Sequence, residues 1–594
     1  MLLPAADVDT AVGTKTAVVV AVGAGLLLDL AFPGVGWWPL APVAIGAFLA
    51  ALAGRGPRAG AGLGLLFGLA FFIPHLAWSG IYVGAMPWLA LASLQSLYVA
   101  AFGVAVSLAW RRYPSPATRV LLAGCLWVGQ EALRSRTPFG GFPWGRLAFS
   151  QVESPAVGLA ALGGAPLVSF AVATAGALLA QAAISASKPH RHVGPRRAAT
   201  RSALAFAGLA VAVTTTGAAV PRSTEVGPTV RVAAVQGNVA RPGLDFASER
   251  RAVLDNHARA TRRLAADIAS GRQPRPDLVL WPENSSDLDP LRESDAASVI
   301  SGAVDAVDVP VLIGAVLREP TDKLSNASLV WEPGRGPTGR YVKHRPVPFA
   351  EYIPYRSFFR RISDKVDLVR TDFIGAQGPV TVAMGRVRVG VAICFEVAFD
   401  DQLRSAVREG ADLLVVPTNN ATFGRSDESV QQLAMSRLRA IELGRSIAHV
   451  STVGVSALIR PDGTMAKVSR HFTQETLTAE LPLRTNLSLA ARLGTWPEGL
   501  LTLLGLAGLA TSTCRSRRGS AHLPTRRWHQ RRPIGGRALR AGVVRTMRPS
   551  RSDHACTEAS APWPADRMVS GSCAHRCTAP TRWPWTGACW PPHR

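Results

Sequence analysis

The sequence runs to 594 residues with a net charge of +25, and is 48% hydrophobic, 18% charged, with a mean hydropathy of +0.17. That is too apolar for an ordinary soluble protein and implies membrane spans joined to something water-soluble. The charge does not mark a nucleic-acid partner: residues 515–594 hold 16 arginines against three acids (Asp553, Glu558, Asp566), about half of the excess, and the other basic clusters flank apolar runs.

After a short cytoplasmic segment, 1–14, apolar stretches of spanning length are expected at roughly 15–32, 36–53, 59–77, 86–110, 118–134, 157–185 and 202–220, with an eighth near 497–513. No cleavable leader is expected, because the first run continues directly into further spans. Arg55 and Arg58 follow the second span. Arg111, Arg112 and Arg119 follow the fourth. Lys188, Arg191, Arg196, Arg197 and Arg201 follow the sixth, and Arg515, Arg517 and Arg518 the eighth. Even-numbered spans therefore end in basic cytoplasmic loops. The loop at 135–156, with Arg136 and Arg146, is a mild exception. The segment between spans seven and eight is then extracytoplasmic.

That segment, 228–484, changes character. Strand-like runs at 230–235, 277–281, 309–316, 387–393 and 412–416 alternate with helix-like stretches at 247–269 and 427–442. Residues 451–458 alternate loosely, and Pro461-Asp462-Gly463 signals a turn. The pattern predicts an extracytoplasmic α/β layered domain beside a helical membrane bundle.

The segment contains one cysteine, Cys394, at the end of a strand-like run. Glu283 lies 60 residues before Lys343, and Lys343 lies 51 before Cys394. Each ends an apolar run, and in a layered α/β domain such ends converge along one sheet edge. A carboxylate could take the thiol's proton, and an ammonium could hold the thiolate and then an oxyanion. Taken singly, the cysteine also reads as a small core residue, the glutamate as a turn residue and the lysine as a surface charge.

Taken together, Leu280-Trp281-Pro282-Glu283-Asn284-Ser285, Tyr341-Val342-Lys343 with the run to Pro354, and Ile393-Cys394-Phe395-Glu396 resemble the carbon–nitrogen hydrolase (nitrilase) superfamily. With the spans, the chain resembles its membrane-embedded branch, the apolipoprotein N-acyltransferases, over about residues 15–513. Gln236-Gly237-Asn238, Pro417-Thr418-Asn419-Asn420, Ala440 to Arg445, and Phe142-Pro143-Trp144 in an outer-side loop also match.

The resemblance implies a nitrilase-like sandwich with Glu283 as general base, Lys343 as oxyanion stabiliser and Cys394 as nucleophile. Glu351 and Glu396 match further acidic positions of the family site, expected to orient Lys343 and the thiol. Trp144, Phe246 and Asn420 are candidate lipid or substrate contacts. Phe395 stands where relatives often carry tyrosine, so that position has no hydroxyl to offer. The implied reaction takes an acyl chain from a membrane phospholipid onto Cys394 and passes it to the α-amine of a diacylglyceryl-cysteine on an apolipoprotein. It calls for no metal or organic cofactor.

Glu131 and Arg134, spaced i, i+3 at the outer end of the fifth span, are expected to pair across a helical turn or to meet lipid headgroups. Residues 514–594, rich in Trp, Arg, Pro and Cys without apolar periodicity, read as a basic tail of low order or an out-of-frame translation. Two other readings stay open. One is a membrane-anchored amidase of the same superfamily with water as acceptor. The other is a non-catalytic scaffold associating with a polyprenol-phosphate mannose synthase.

Overall fold

The computed structural model describes residues 12–187, 196–221, 227–239, 250–320 and 322–519. The tail beyond 519 lies outside them. Among the described residues, seven α-helices precede the mixed region: α1 Thr14–Asp29, α2 Leu40–Leu52, α3 Pro57–His75, α4 Ala85–Arg112, α5 Pro116–Arg134, α6 Ala160–Ala186 and α7 Arg196–Thr215. Among the described residues, four helical stretches are long and apolar enough to cross a membrane: Pro57–His75, Ala85–Arg112, Pro155–Ala186 and Ala198–Ala219. Of the four others expected as spans, the eighth lies in a helix, Trp496–Gly519, that opens on Trp-Pro-Glu-Gly, and the rest fall short for visible reasons. α1 has 16 residues and α2 has 13, while α5 carries Arg119, Glu131 and Arg134.

Small residues set the close approaches in this bundle. On α3, a Cβ added at Gly60 or Gly64 would meet the Gly103 or Val99 carbonyl of α4 at 2.4 or 2.5 Å. α6 leaves helical geometry at Gly163 and Gly164. Gly164 has φ +70°, and a Cβ there would lie 3.0 Å from the Glu442 carboxylate.

The mixed region holds two six-stranded sheets. The first contains β1 Thr229–Gln236, β2 Leu278–Leu280, β3 Val311–Arg318, β4 Leu324–Glu332 and β5 Gly336–Val342. The second contains β6 Thr381–Met384, β7 Val387–Val391, β8 Leu413–Thr418, β9 Ser446–Ser451, β10 Ala457–Ile459 and β11 Met465–Val468. β12, Glu475–Pro482, crosses back and pairs antiparallel with β1, giving the order β12-β1-β2-β3-β4-β5. The loosely alternating stretch at 451–458 is thus not one strand but the turn between antiparallel β9 and β10.

Alternation along β1 explains the layering. Val230, Val232 and Ala234 join the core shared with the second sheet. Ala233 and Val235 face α8 Arg250–Ala269 and α9 Ser294–Val307, whose Leu254, Ile300 and Val304 fill the other side. A short α10, Arg356–Phe359, lies in the long loop after β5. α11 Asp400–Arg408 and α12 Glu428–Leu443 belong to the second sheet. α12 is the pivotal helix: it packs on that sheet and also on α6, so every residue along it is buried or half-buried. α13 Leu489–Leu493 leads to α14 Trp496–Gly519, which packs on α5. One apolar cluster therefore runs from Phe48 and Phe67 in the bundle to Val391 and Leu414 in the sheet.

Candidate active site

Glu283 lies three residues beyond β2, and Lys343 directly follows β5, both in the first sheet. Cys394 lies three residues beyond β7, in the second. The three sit between two sheets, not along one sheet edge, and the loop ends face each other across the sandwich.

Glu283 and Lys343 are 5% and 1% exposed. The Lys343 ammonium donates to Glu283 Oε1 at 3.2 Å and to Glu351 Oε1 at 2.9 Å. Asn326, on β4, donates its amide N–H to the same two oxygens, at 2.6 and 3.1 Å. The other Glu283 oxygen accepts the backbone N–H of Asn419 at 2.9 Å, and Glu351 Oε2 accepts that of Val347 at 2.6 Å. Burial alone would lower the lysine, but Glu283 and Glu351 outweigh it and hold Lys343 well above its usual range. It stays an ammonium at any physiological pH.

Cys394 has φ +54°, a left-handed backbone that a β-carbon makes costly. It turns the chain from β7 into the 3₁₀ turn Cys394–Ala398. The residue is half-buried. Burial and the neighbouring Glu283 charge push the thiol well up, against an opposing pull from Lys343. The resting group is therefore a thiol beside a carboxylate. Glu396 touches neither Lys343 nor the sulfur. Its Oε1 accepts the backbone N–H groups of His344 and Arg345 at 2.8 and 3.0 Å. Its Oε2 accepts Tyr341 Oη at 2.7 Å and the Ile393 N–H at 2.8 Å. One carboxylate thus ties the loop after Lys343 to the residue before Cys394. Burial raises it to about 7.

Two family models match the chain: an apolipoprotein N-acyltransferase N-terminal domain over residues 24–178, and a carbon-nitrogen hydrolase over residues 231–491. The apolipoprotein N-acyltransferase of Mycolicibacterium smegmatis is 40% identical over 522 residues, covering 85% of this chain and 87% of that protein. The chain belongs to the apolipoprotein N-acyltransferase family. The apolipoprotein N-acyltransferase of Pseudomonas syringae pv. tomato is 30% identical, covering 82% of this chain and 94% of its own. An amidase structure from Nesterenkonia sp. is 18% identical over 44% of this chain and 94% of that one, with a TM-score of 0.32.

In this N-acyltransferase the remaining candidate residues fall in different places. Glu131 and Arg134 do not pair with each other. The Glu131 carboxylate accepts Trp127 Nε1 and the Leu147 N–H, both at 2.9 Å, and faces Arg146 at 3.5 Å. Arg134 turns the other way and donates to the carbonyls of Phe142 and Trp144 at 3.0 and 2.6 Å. Both are buried, since the loop after α5 folds back over them, so neither meets open lipid. Trp144 is also buried: its indole donates to Gln431 at 2.7 Å, and its ring stacks 6.4 Å from Phe395. Phe142 stacks 5.6 Å from the same ring. The residue after Cys394 is thus held by an aromatic stack from the α5–α6 loop. Asn420 is buried with its side chain fully partnered inside the protein. Phe246 lies outside the described residues.

A cavity of about 670 Å³ opens between the α5–α6 loop, the α6 kink and the sandwich, lined by Phe139, Pro166, His344, Phe395, Phe399 and Glu442 among others. It adjoins the cluster through Phe395 and His344, but Glu283, Lys343 and Cys394 do not line it. Motif reading missed three polar neighbours of the site. Asn326 had no signal, because Ser325, Asn326 and Ser328 break up the apolar pattern of β4. Thr418 had one, inside a quoted motif. Gln432 had none: it reads as an ordinary polar helix position.

Proposed function

We propose that this N-acyltransferase moves an acyl chain from a membrane phospholipid to the N-terminal amine of a diacylglyceryl-cysteine through a thioester on Cys394. Glu283 takes the thiol proton as sulfur attacks the ester carbonyl. The tetrahedral oxyanion meets the Lys343 ammonium. Collapse breaks the C–O bond, and the leaving lysophospholipid takes the proton from Glu283. The amine then attacks the thioester, yields its proton to Glu283 and expels the sulfur, which recovers that proton. The net change is ester plus amine to amide plus alcohol.

The observation that carries this reading is the buried Glu283–Lys343–Glu351 contact set beside a partly exposed Cys394, in a chain whose core is continuous with apolar helices. Both substrates are lipid-anchored, so tethering to the bilayer makes their encounters local. On this reading the chain has eight spans, at 15–220 and 497–513. Residues 228–484 form the catalytic domain on the extracytoplasmic face, and residues 514–594 a cytoplasmic tail. The basic loops after even-numbered spans support that orientation.

The test is intact mass of a lipoprotein N-terminal peptide from cells carrying wild type or Cys394→Ala. Triacylation and a palmitoyl thioester should both vanish in the variant; persistence of either sinks the reading. Release of free fatty acid in place of transfer would instead mark a hydrolase. Co-purification from the same detergent extract tests association with a polyprenol-phosphate mannose synthase.

A further inference from the structure

We infer that Gln432 is a further catalytic residue of this site, its side-chain N–H donating to the Cys394 sulfur as that sulfur gains negative charge. The inference rests on Cys394 carrying the acyl group, as proposed above. Gln432 lies near the start of α12, fully buried, with Nε2 3.5 Å from Cys394 Sγ.

The two ends of a glutamine amide look alike, so its direction has to come from its neighbours. Here the contact with the Asn420 amide sets it. Gln432 Oε1 accepts the Thr418 hydroxyl at 2.8 Å and the Asn420 amide at 3.1 Å. Turning the amide over would set N–H groups against the Asn420 N–H and point an acceptor at the sulfur. Asn420 is fixed in turn: its Nδ2 donates to Glu428 at 2.7 Å, and its Oδ1 accepts Ser451 Oγ at 2.5 Å. With the Glu428 oxygen accepting from Asn420, the order of donors through Asn420 and Gln432 ends on an N–H facing the sulfur. A buried chain of this kind is stable only when each member is satisfied.

The sulfur needs such a donor. The Lys343 ammonium pulls the thiol down but is shared by two carboxylates, and the Thr418 hydroxyl also lowers it. Glu283, once protonated, offers no positive charge. A neutral N–H adds no charge in the resting state and strengthens as the thiolate forms. Burial also raises the Glu428 carboxyl to about 8, and where it is ionised its charge opposes the thiolate.

The test uses two variants of the full-length enzyme in phospholipid-containing micelles. Gln432→Glu keeps an acceptor for Thr418 and Asn420; Gln432→Met is uncharged and keeps neither acceptor nor donor. Iodoacetamide alkylation of Cys394 is followed by peptide mass across pH, alongside single-turnover thioester formation. In both variants the alkylation profile should move up by roughly one pH unit, so the rate at fixed pH falls about tenfold. Thioester formation should slow by a similar factor, with KM for phospholipid unchanged. A shift in Gln432→Glu alone would be the introduced charge, and a shift in Gln432→Met alone would be the lost acceptor; either overturns the inference, as does no shift. If Gln432→Met fails to fold, Gln432→Leu replaces it; if Gln432→Glu fails, Gln432→Ser, neutral and still an acceptor, replaces it, and the paired comparison stands. Cys394→Ala separates the two claims. If it still transfers acyl chains, the thioester reading is wrong; if it is inactive while the Gln432 variants match wild type, only this inference falls.

Discussion

Arg146, from the loop after α5, places its Nη1 2.8 Å from both carboxylate oxygens of Asp400 on the catalytic sandwich. Asp400 also meets Arg439 at 2.7 Å, and Arg439 meets Glu442 at 2.5 Å. Arg136 pairs with Glu498 of α14. Despite burial, the arginines hold Asp400 well below the usual carboxylate range. Removing its charge leaves two buried guanidiniums facing each other. Asp400→Asn should therefore destabilise the detergent-solubilised enzyme by about 3–5 kcal/mol, as expected when one partner of a buried ion pair is lost. Asp401 next to it pairs with Arg345 in the open, and Asp401→Asn should cost about 0–1 kcal/mol. Equal melting temperatures for the two variants would contradict the buried network.

Lys343→Met strips the cation from between Glu283 and Glu351, leaving Asn326 as their shared donor. Acyl transfer should fall by roughly 10²- to 10³-fold, the cost of losing an oxyanion donor, and the melting temperature should fall with it. Adding Glu351→Gln removes one of the two uncompensated charges. The double variant should recover part of the stability and none of the activity. Recovery of both would mean that Lys343 serves only as a counterion.

Glu396 accepts four hydrogen bonds, two per oxygen. An amide in its place sets an N–H pair against two donors. Glu396→Gln should slow thioester formation by roughly 10- to 100-fold, the scale of a lost hydrogen bond to a charged group, while the fold survives. Because the contacts are to backbone flanking Lys343 and Cys394, KM for phospholipid should hardly move. A change confined to KM would place Glu396 at the substrate instead.

Glu428 titrates near 4.5 in an unfolded chain and at about 8 when folded, because of burial. A raised carboxyl binds its proton more tightly in the native state. Its contribution is fully present below about pH 4.5 and fades as pH climbs through about 8. Buried His257 and His449, lowered by burial to about 4 and about 3, run the other way and lose stability as pH falls below 6.5. The useful quantity is therefore a difference. Glu428→Gln should gain on wild type steadily between pH 5.5 and 8.5 in thermal unfolding. A gap independent of pH would mean that Glu428 is ionised throughout.

The parts of this molecule legible in its sequence are those with a local physical signature. β1, β2, β3, β7 and β8 are short apolar runs bounded by turn residues, and the helical segments of the bundle are long apolar stretches. Glu283 and Cys394 each close such a run, and Lys343 closes only the apolar pair Tyr341-Val342, so their neighbourhood was readable through the motifs. β4 and β5 were not, because Ser325, Asn326 and Ser328 interrupt the first and Gly336, Pro337 and Gly339 the second. Pairing also escaped: β12 joins β1 across more than 230 residues, a relation no window detects. The i, i+3 spacing of Glu131 and Arg134 suggested a pair, yet tertiary partners took both. Arg146 and the carbonyls of the α5–α6 loop arrive from beyond the helix. Gln432 was invisible for the same reason, since its meaning comes from Thr418, Asn420 and Cys394, all on other elements.

α12 has no side left for water. One flank closes the sandwich and the other lies on α6. A protease nick on either side of the domain that could free it would bare the α12 face now covered by α6. In this chain the apolar helical half supplies that cover.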